Sequence, residues 1–220
     1  MTTILYTAIL RGSDSLKPAP PGVEAVCFVD YPNPIGDARG WFIIPHEYEG
    51  DARREAWRLR CQSHLRFGTY DRAVWIDASF RYVDFARLLE DAGDGELVGM
   101  RHPHRTSIYD EGPALVAENR GGAAGVQRQL DAYRAEGFAP QNLTTAGILV
   151  RRPTPRVIDF NERWLLEIER WPDDNTQLSL DYCAWKAGLD MQYLEGSYIA
   201  NPYITYDHED HKLRWRPYRQ

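Results

Sequence analysis

Residues 72–80 read "RAVWIDASF". Val74, Trp75 and Ile76 form an unbroken apolar run, the pattern of a strand buried on both faces. The run ends in Asp77. A carboxylate closing such a strand is costly unless it meets a cation, a hydrogen-bond donor or open solvent. Outward from this point, "TTILYTAIL", "GVEAVCFVD", "GWFIIP", "ELVGMRH" and "TAGILVRR" also read as strands. Helix-period segments separate several of them, at about 53–67, after Val83, across the middle of the chain, and along "RVIDFNERWLLEIERW" and "NTQLSLDYCAWKAG". This alternation predicts one α/β domain with a mostly parallel central sheet flanked by helices. The unit spans 1–220, with a core from about 3 to 195 and an aromatic, charged tail over 196–220. In such sheets ligands bind beyond the carboxyl ends of the strands. Asp30 ends the second predicted strand, Asp77 the fourth, and His102 follows the fifth, so the three share a rim.

The composition narrows the function classes. With 43% apolar and 26% charged residues the chain has a soluble globular make-up. No apolar run approaches the roughly 18 residues that span a bilayer. The opening "MTTILYTAIL" has no basic leader and reads as a first strand rather than a signal peptide. Three scattered cysteines, Cys27, Cys61 and Cys183, form neither a disulfide framework nor a metal-binding pair. They indicate a reducing, cytoplasmic setting. A net charge of −6 argues against a constitutive nucleic-acid binder.

Two readings of Asp77 stand side by side. It is a turn or helix N-cap residue, or it is a ligand for a divalent metal or a ribose. If the strand persists through "DAS", Asp77 and Ser79 share a face. The predicted helix over 53–67 carries Arg53, Arg54, Arg58, Arg60 and Arg66, which are either a solvated face or phosphate contacts. "RHPHR" supplies His102, His104 and Arg105 without a third zinc ligand at a recognisable spacing. The tail offers His208, His211 and Lys212.

Nine pieces in order resemble one family. They are "YTAILRGSDSLKP", "CFVD", "GWFIIP", "RLRCQSHLRF", "YDRAVWIDAS", "MRHPHRTSIYDE", "YRAEGF", "AGILVRR" and "TQLSLDY", covering roughly residues 4 to 186. The family is a glycosyltransferase-like group with the nucleotide-sugar-binding GT-A fold, including plant cell-wall and mucilage transferases and bacterial or viral surface-glycan transferases. The resemblance implies a transferase of polysaccharide biosynthesis that moves a hexosyl or deoxyhexosyl unit. The donor would be a nucleoside-diphosphate sugar, UDP-linked by expectation, and the acceptor a glycan or other small hydroxyl compound.

The resemblance also implies site roles. Tyr6, Thr7 and Asp30 would cradle the base and ribose. "WIDAS" occupies the place of the D-x-D motif, with Asp77, Ala78 and Ser79 at the donor and Asp77 and Ser79 as metal ligands. Ser79 stands where many relatives have a second carboxylate. Arg60 and His64 match a basic residue and a histidine ahead of that strand, and His102 and Arg105 would line the sugar pocket. His208 or His211 would complete the shell of Mn²⁺ or Mg²⁺, and Lys212 would contact the leaving diphosphate. Relatives carry "RDQLS" where this chain reads "NTQLS", so Thr176 replaces an aspartate suited to act as base. Asp174, Asp173, Asp110 and Glu111 are the substitutes. Two rivals remain: a non-catalytic nucleotide-sugar-binding subunit, and a transferase acting on modified nucleic-acid bases, which the pI near 5.5 disfavours.

Overall fold

A computed structural model describes residues 1–30, 38–140, 142–171 and 176–206. The strands are β1 (Thr3–Ile9), β2 (Glu24–Val29), β3 (Phe42–Pro45), β4 (Arg72–Ile76), β5 (Phe80–Tyr82), β6 (Leu97–Arg101), β7 (Thr144–Arg151), β8 (Gln192–Ser197) and β9 (Ile204–Tyr206). The helices are α1 (Ala52–Cys61), α2 (Ser63–Phe67), α3 (Phe85–Ala92), α4 (Ile108–Ala117), α5 (Ala123–Ala135), α6 (Pro155–Arg170) and α7 (Thr176–Lys186). Seven strands form one sheet in the order β3-β2-β1-β4-β7-β6-β8, and β5 and β9 form a two-stranded ribbon.

The sheet is mostly parallel. β1 pairs parallel with β2 and with β4, and β6 pairs parallel with β8. Only β7 runs against its neighbours, antiparallel to both β4 and β6. Every residue of β4 is buried, as its continuous apolar run predicts. Alternate residues of β1 feed two cores. Ile4 and Tyr6 join the side built by α1, α2 and α4–α7, whereas Leu5 and Ile9 join the side of α3 and the β5–β9 ribbon. Cys27, Cys61 and Cys183 are buried and unbonded. Among the described residues no helix is long and apolar enough to cross a membrane.

Four features differ from the sequence expectation. The basic helix breaks at Gln62, whose non-helical backbone ends α1 and starts α2. The break rotates the second piece, so Leu65 is 67% exposed although its spacing aligns it with buried Cys61. The strand geometry of β4 does not persist through "DAS". A tight turn, with the Phe80 N–H donating to the Asp77 carbonyl, reverses the chain into β5, so Asp77 and Ser79 do not share a strand face. The helix N-cap is Asp84, whose side chain accepts from the Arg87 N–H, and not Asp77. Finally, part of the tail is integral to the fold. Ser197 still pairs with Arg101, β9 pairs with β5, and Tyr203 and Ile204 are buried. A three-residue strand is too short to show periodicity, which hid it in the sequence.

Candidate functional site at the sheet switch point

β1 leads to β2 and β3 on one side of the sheet, while β4 lies on its other side. The carboxyl ends of β1 and β4 therefore flank a topological switch point, where diverging loops leave a crevice. Asp77 stands there. Its backbone N–H donates to the Gly147 carbonyl at 2.8 Å, which anchors it to β7.

The side chain of Asp77 has two unlike oxygens. Oδ1 accepts from Arg60 Nη2 at 2.7 Å and from Trp75 Nε1 at 2.8 Å. Oδ2 has no hydrogen-bond partner among the described residues and lies toward Gly147. The Arg60 side chain is 9% exposed and that of Asp77 35%. The pair therefore has a buried cationic half and an open anionic half. Arg60 is held at several points. Its guanidinium lies over the Trp75 ring at 5.0 Å, its Nη1 donates to Thr176 Oγ1 at 3.0 Å, and its own carbonyl accepts from the Tyr6 hydroxyl at 2.8 Å. Trp164 Nε1 holds the Thr176 carbonyl at 3.0 Å, so α6 positions the start of α7 against the same guanidinium.

Gly147 is required by close packing rather than by backbone freedom. A Cβ there would stand 2.7 Å from Phe80 Cε2 and 3.4 Å from Asp77 Oδ2. Phe80 in turn packs with Tyr206 and Tyr198, at centroid distances of 5.5 and 6.4 Å. Tyr206 has its phenol pushed up by burial first, then by Tyr198, Asp14 and Asp77, and drawn down by Arg120. Asp14, Asp77, Tyr198, Tyr206 and Arg120 thus share one electrostatic neighbourhood. Of these only Asp77 was singled out from the sequence. The aromatic run "SYIANPYITY" was the available signal for the two tyrosines.

The other expected residues fall into three groups. Asp30 is at the rim, where both its oxygens accept from the Arg11 N–H at 2.9 and 2.8 Å and Oδ2 accepts from the Tyr48 hydroxyl at 3.0 Å. It fixes the left-handed Arg11 (φ 53°) at the exit of β1. Ala78 is half-buried and Ser79 buried within the turn after Asp77.

Tyr6 and Thr7 are buried inside the sheet, Tyr6 against the Trp75 and Phe67 rings, and the Thr7 hydroxyl has no hydrogen-bond partner among the described residues. Neither presents its side chain to the crevice. His64 lies toward the far end of the sheet, near Arg151.

His102, Arg105 and Glu111 form a separate cluster. His102 Nδ1 accepts from the N–H groups of His104 and Arg105 at 3.2 and 2.9 Å. Burial, then Arg105 and His104, hold its imidazole down to about 4, so it is neutral and carries its proton on Nε2. Glu111 is 1% exposed and accepts from Arg105 Nη1 at 2.6 Å. A carboxylate so enclosed offers no open lone pair to an acceptor hydroxyl. Asp173, Asp174, His208, His211 and Lys212 lie outside the described residues.

Among the described residues, the groups beside Asp77 do not by themselves make a metal shell. Its Oδ1 is already matched to a guanidinium, Ser79 is buried in the turn, and no group of three or more His, Cys, Asp or Glu able to hold a metal occurs among the described residues. The basic helix is likewise committed elsewhere. Arg54 and Arg58 pair with Glu169, and Arg58 also with Glu55.

No protein-family model and no curated protein matches this chain.

Proposed function

We propose that the chain is a nucleotide-sugar-dependent glycosyltransferase whose donor binds in the crevice between the carboxyl ends of β1 and β4. One observation carries the reading. Asp77 sits at the switch point with one oxygen fixed by Arg60 and Trp75 and the other open. An open, pre-oriented carboxylate oxygen is suited to accept from ribose or sugar hydroxyls, and its orientation costs nothing when the ligand arrives. The strand order, reversed at β4 and interrupted by antiparallel β7, supports the GT-A assignment that the ordered sequence pieces suggest.

In the proposed transfer, the bond from the anomeric carbon to the diphosphate oxygen breaks and a bond to the acceptor oxygen forms. The acceptor's proton passes to a base, and the departing diphosphate needs positive charge. Arg60 acts here as a positioning residue for Asp77. Its Nη1 and Nη2 each give one N–H, to Thr176 and Asp77, so its orientation is set before any ligand arrives. Asp174 and Asp173, two and three residues before Thr176 in sequence, are the proposed bases. Mn²⁺ or Mg²⁺ remains a proposal from the resemblance alone, and no step is routed through it.

The test is thermal unfolding with UDP, GDP and their sugar conjugates, with and without Mn²⁺. Ligand at a hundredfold excess over Kd stabilises the folded state by about 2.7 kcal/mol, or roughly 5–10 °C. Asp77→Asn should remove the shift. Absence of any shift with every nucleotide, with or without metal, defeats the donor-site reading. One observation favours a non-catalytic binding subunit instead: Thr176, at the expected base position, is bonded to Arg60. Slow release of nucleoside diphosphate from a bound nucleotide sugar separates an enzyme from such a subunit.

A further inference from the structure

At the other end of the sheet, where Ala73 of β4 pairs with Arg151 of β7, a small pocket opens between α2 and α6. It has about 10 Å³ of space, enough for one water-sized occupant. Ser63, His64, Arg151 and Asn161 are among its lining residues. Arg151 is almost wholly buried, yet each of its acceptors is neutral. Nη1 donates to Asn161 Oδ1 at 2.7 Å, and Nη2 donates to the Arg60 carbonyl at 2.7 Å and to the Tyr6 hydroxyl. Its Nε has no partner, and no carboxylate pairs with it among the described residues. Neighbouring Arg152 is answered by Asp94 at 2.7 Å.

His64 adds a second, independent sign. Its side chain is 6% exposed, and among the described residues neither Nδ1 nor Nε2 has a well-aligned hydrogen bond, the Cys61 backbone being its one loose contact. The nearest acid, Glu162, is 4.0 Å from Nε2 and largely in solvent. Burial holds the imidazole below its usual value, so it is neutral and offers one N–H. A buried guanidinium without a counter-charge costs several kcal/mol, and a water molecule answers its donors but not its charge.

We propose that this pocket binds one small monovalent anion of halide size, held by Arg151 and by the His64 N–H. The space suits a monatomic ion and not an oxyanion. The site is independent of the donor crevice, so the two proposals stand or fall separately.

The experiment is a bromide soak of crystals of the full chain, read by anomalous scattering. It is paired with Tm measurements in chloride, bromide and gluconate at fixed ionic strength. A bromide peak in the pocket is expected, with a Tm higher by about 2–4 °C in halide. Asn161→Asp supplies the internal control. Its carboxylate would stand where an oxygen already lies 2.7 Å from Arg151 Nη1, providing a built-in counter-charge. This variant should lose the halide increment and gain Tm in gluconate. An ordered water alone in the pocket, while bromide occupies other sites on the protein, overturns the proposal. So does an Asn161→Asp variant that keeps the full halide increment.

Discussion

The pair formed by Arg60 and Asp77 gives the sharpest prediction. Arg60→Met keeps the length of the side chain and removes the guanidinium. Three contacts are lost: the bond to Asp77 at 2.7 Å, the bond to Thr176 at 3.0 Å, and the stacking over Trp75 at 5.0 Å. Charge-assisted bonds contribute about 1.5–3 kcal/mol when shielded. Asp77 is 35% exposed, so solvent screening brings this one to about 1–2 kcal/mol. The Thr176 bond adds about 1 kcal/mol. Against these stands the relief from burying a cation, offset in part because Asp77 keeps its charge and loses its partner. The net expectation is a loss of about 1–2 kcal/mol.

A double-mutant cycle with Asp77→Asn, measured by urea unfolding, isolates the pair from the Thr176 bond and the stacking. Its coupling energy should be about 1 kcal/mol or more. Nucleoside-diphosphate affinity should fall in each single variant and little further in the double, since both act through the same carboxylate. Additivity within about 0.3 kcal/mol in stability, together with multiplicative losses of affinity, would refute the positioning role.

Three further outcomes are expected. Gly147→Ala places a methyl group 2.7 Å from Phe80, so it should lower stability by about 1–3 kcal/mol and weaken nucleotide binding by displacing the ring beside Asp77; denaturant unfolding and thermal shift read both effects. Asp181 is buried, accepts from the Thr144 N–H and hydroxyl, and has its carboxyl pushed up by burial to about 6 from 3.8. Its folded form holds the proton more tightly, so the stability it contributes is complete below about pH 4 and is lost as pH rises through 6. Asp181→Asn should therefore gain on the wild type across that window, by on the order of 3 kcal/mol at pH 7, and parallel pH–stability curves would contradict this. Arg105→Met leaves buried Glu111 without its cation and should cost about 3 kcal/mol in urea unfolding, whereas Glu118→Gln, at the exposed end of the same cluster, should cost under about 1 kcal/mol.

The sequence made much of this architecture legible, and it failed where the deciding partner was remote. The apolar run of β4 announced a strand covered on both faces, and Asp77 at its end announced a rim. Periodicity carries no strand direction, so nothing in "TAGILVRR" indicated that β7 runs backwards between β4 and β6. A local turn, not a continued strand, set the relation of Asp77 to Ser79. Arg60 was singled out as a phosphate contact because it matches a basic residue of the family that the chain resembles. Its partners, 17 residues away at Asp77 and 116 away at Thr176, exist only once α1, β4 and α7 have packed. Gly147 was invisible for the same reason, since what forbids a side chain there is a ring from another strand.

The committed state of Arg60 has a consequence for the chemistry. The Arg60 guanidinium gives one N–H to Asp77 and one to Thr176, and its Nε is buried with no hydrogen-bond partner among the described residues. Turning it toward a diphosphate by releasing Asp77 would leave a carboxylate facing an anionic ligand, a repulsion that works against binding. Lys212 is the proposed further source of positive charge for the leaving group. Arg60 then contributes through the orientation of Asp77. Arg60→Lys, which keeps the charge but not the two-pronged geometry, should weaken donor binding nearly as much as Arg60→Met. Lys212→Met should instead slow the release of diphosphate while leaving the affinity for the free nucleoside largely unchanged.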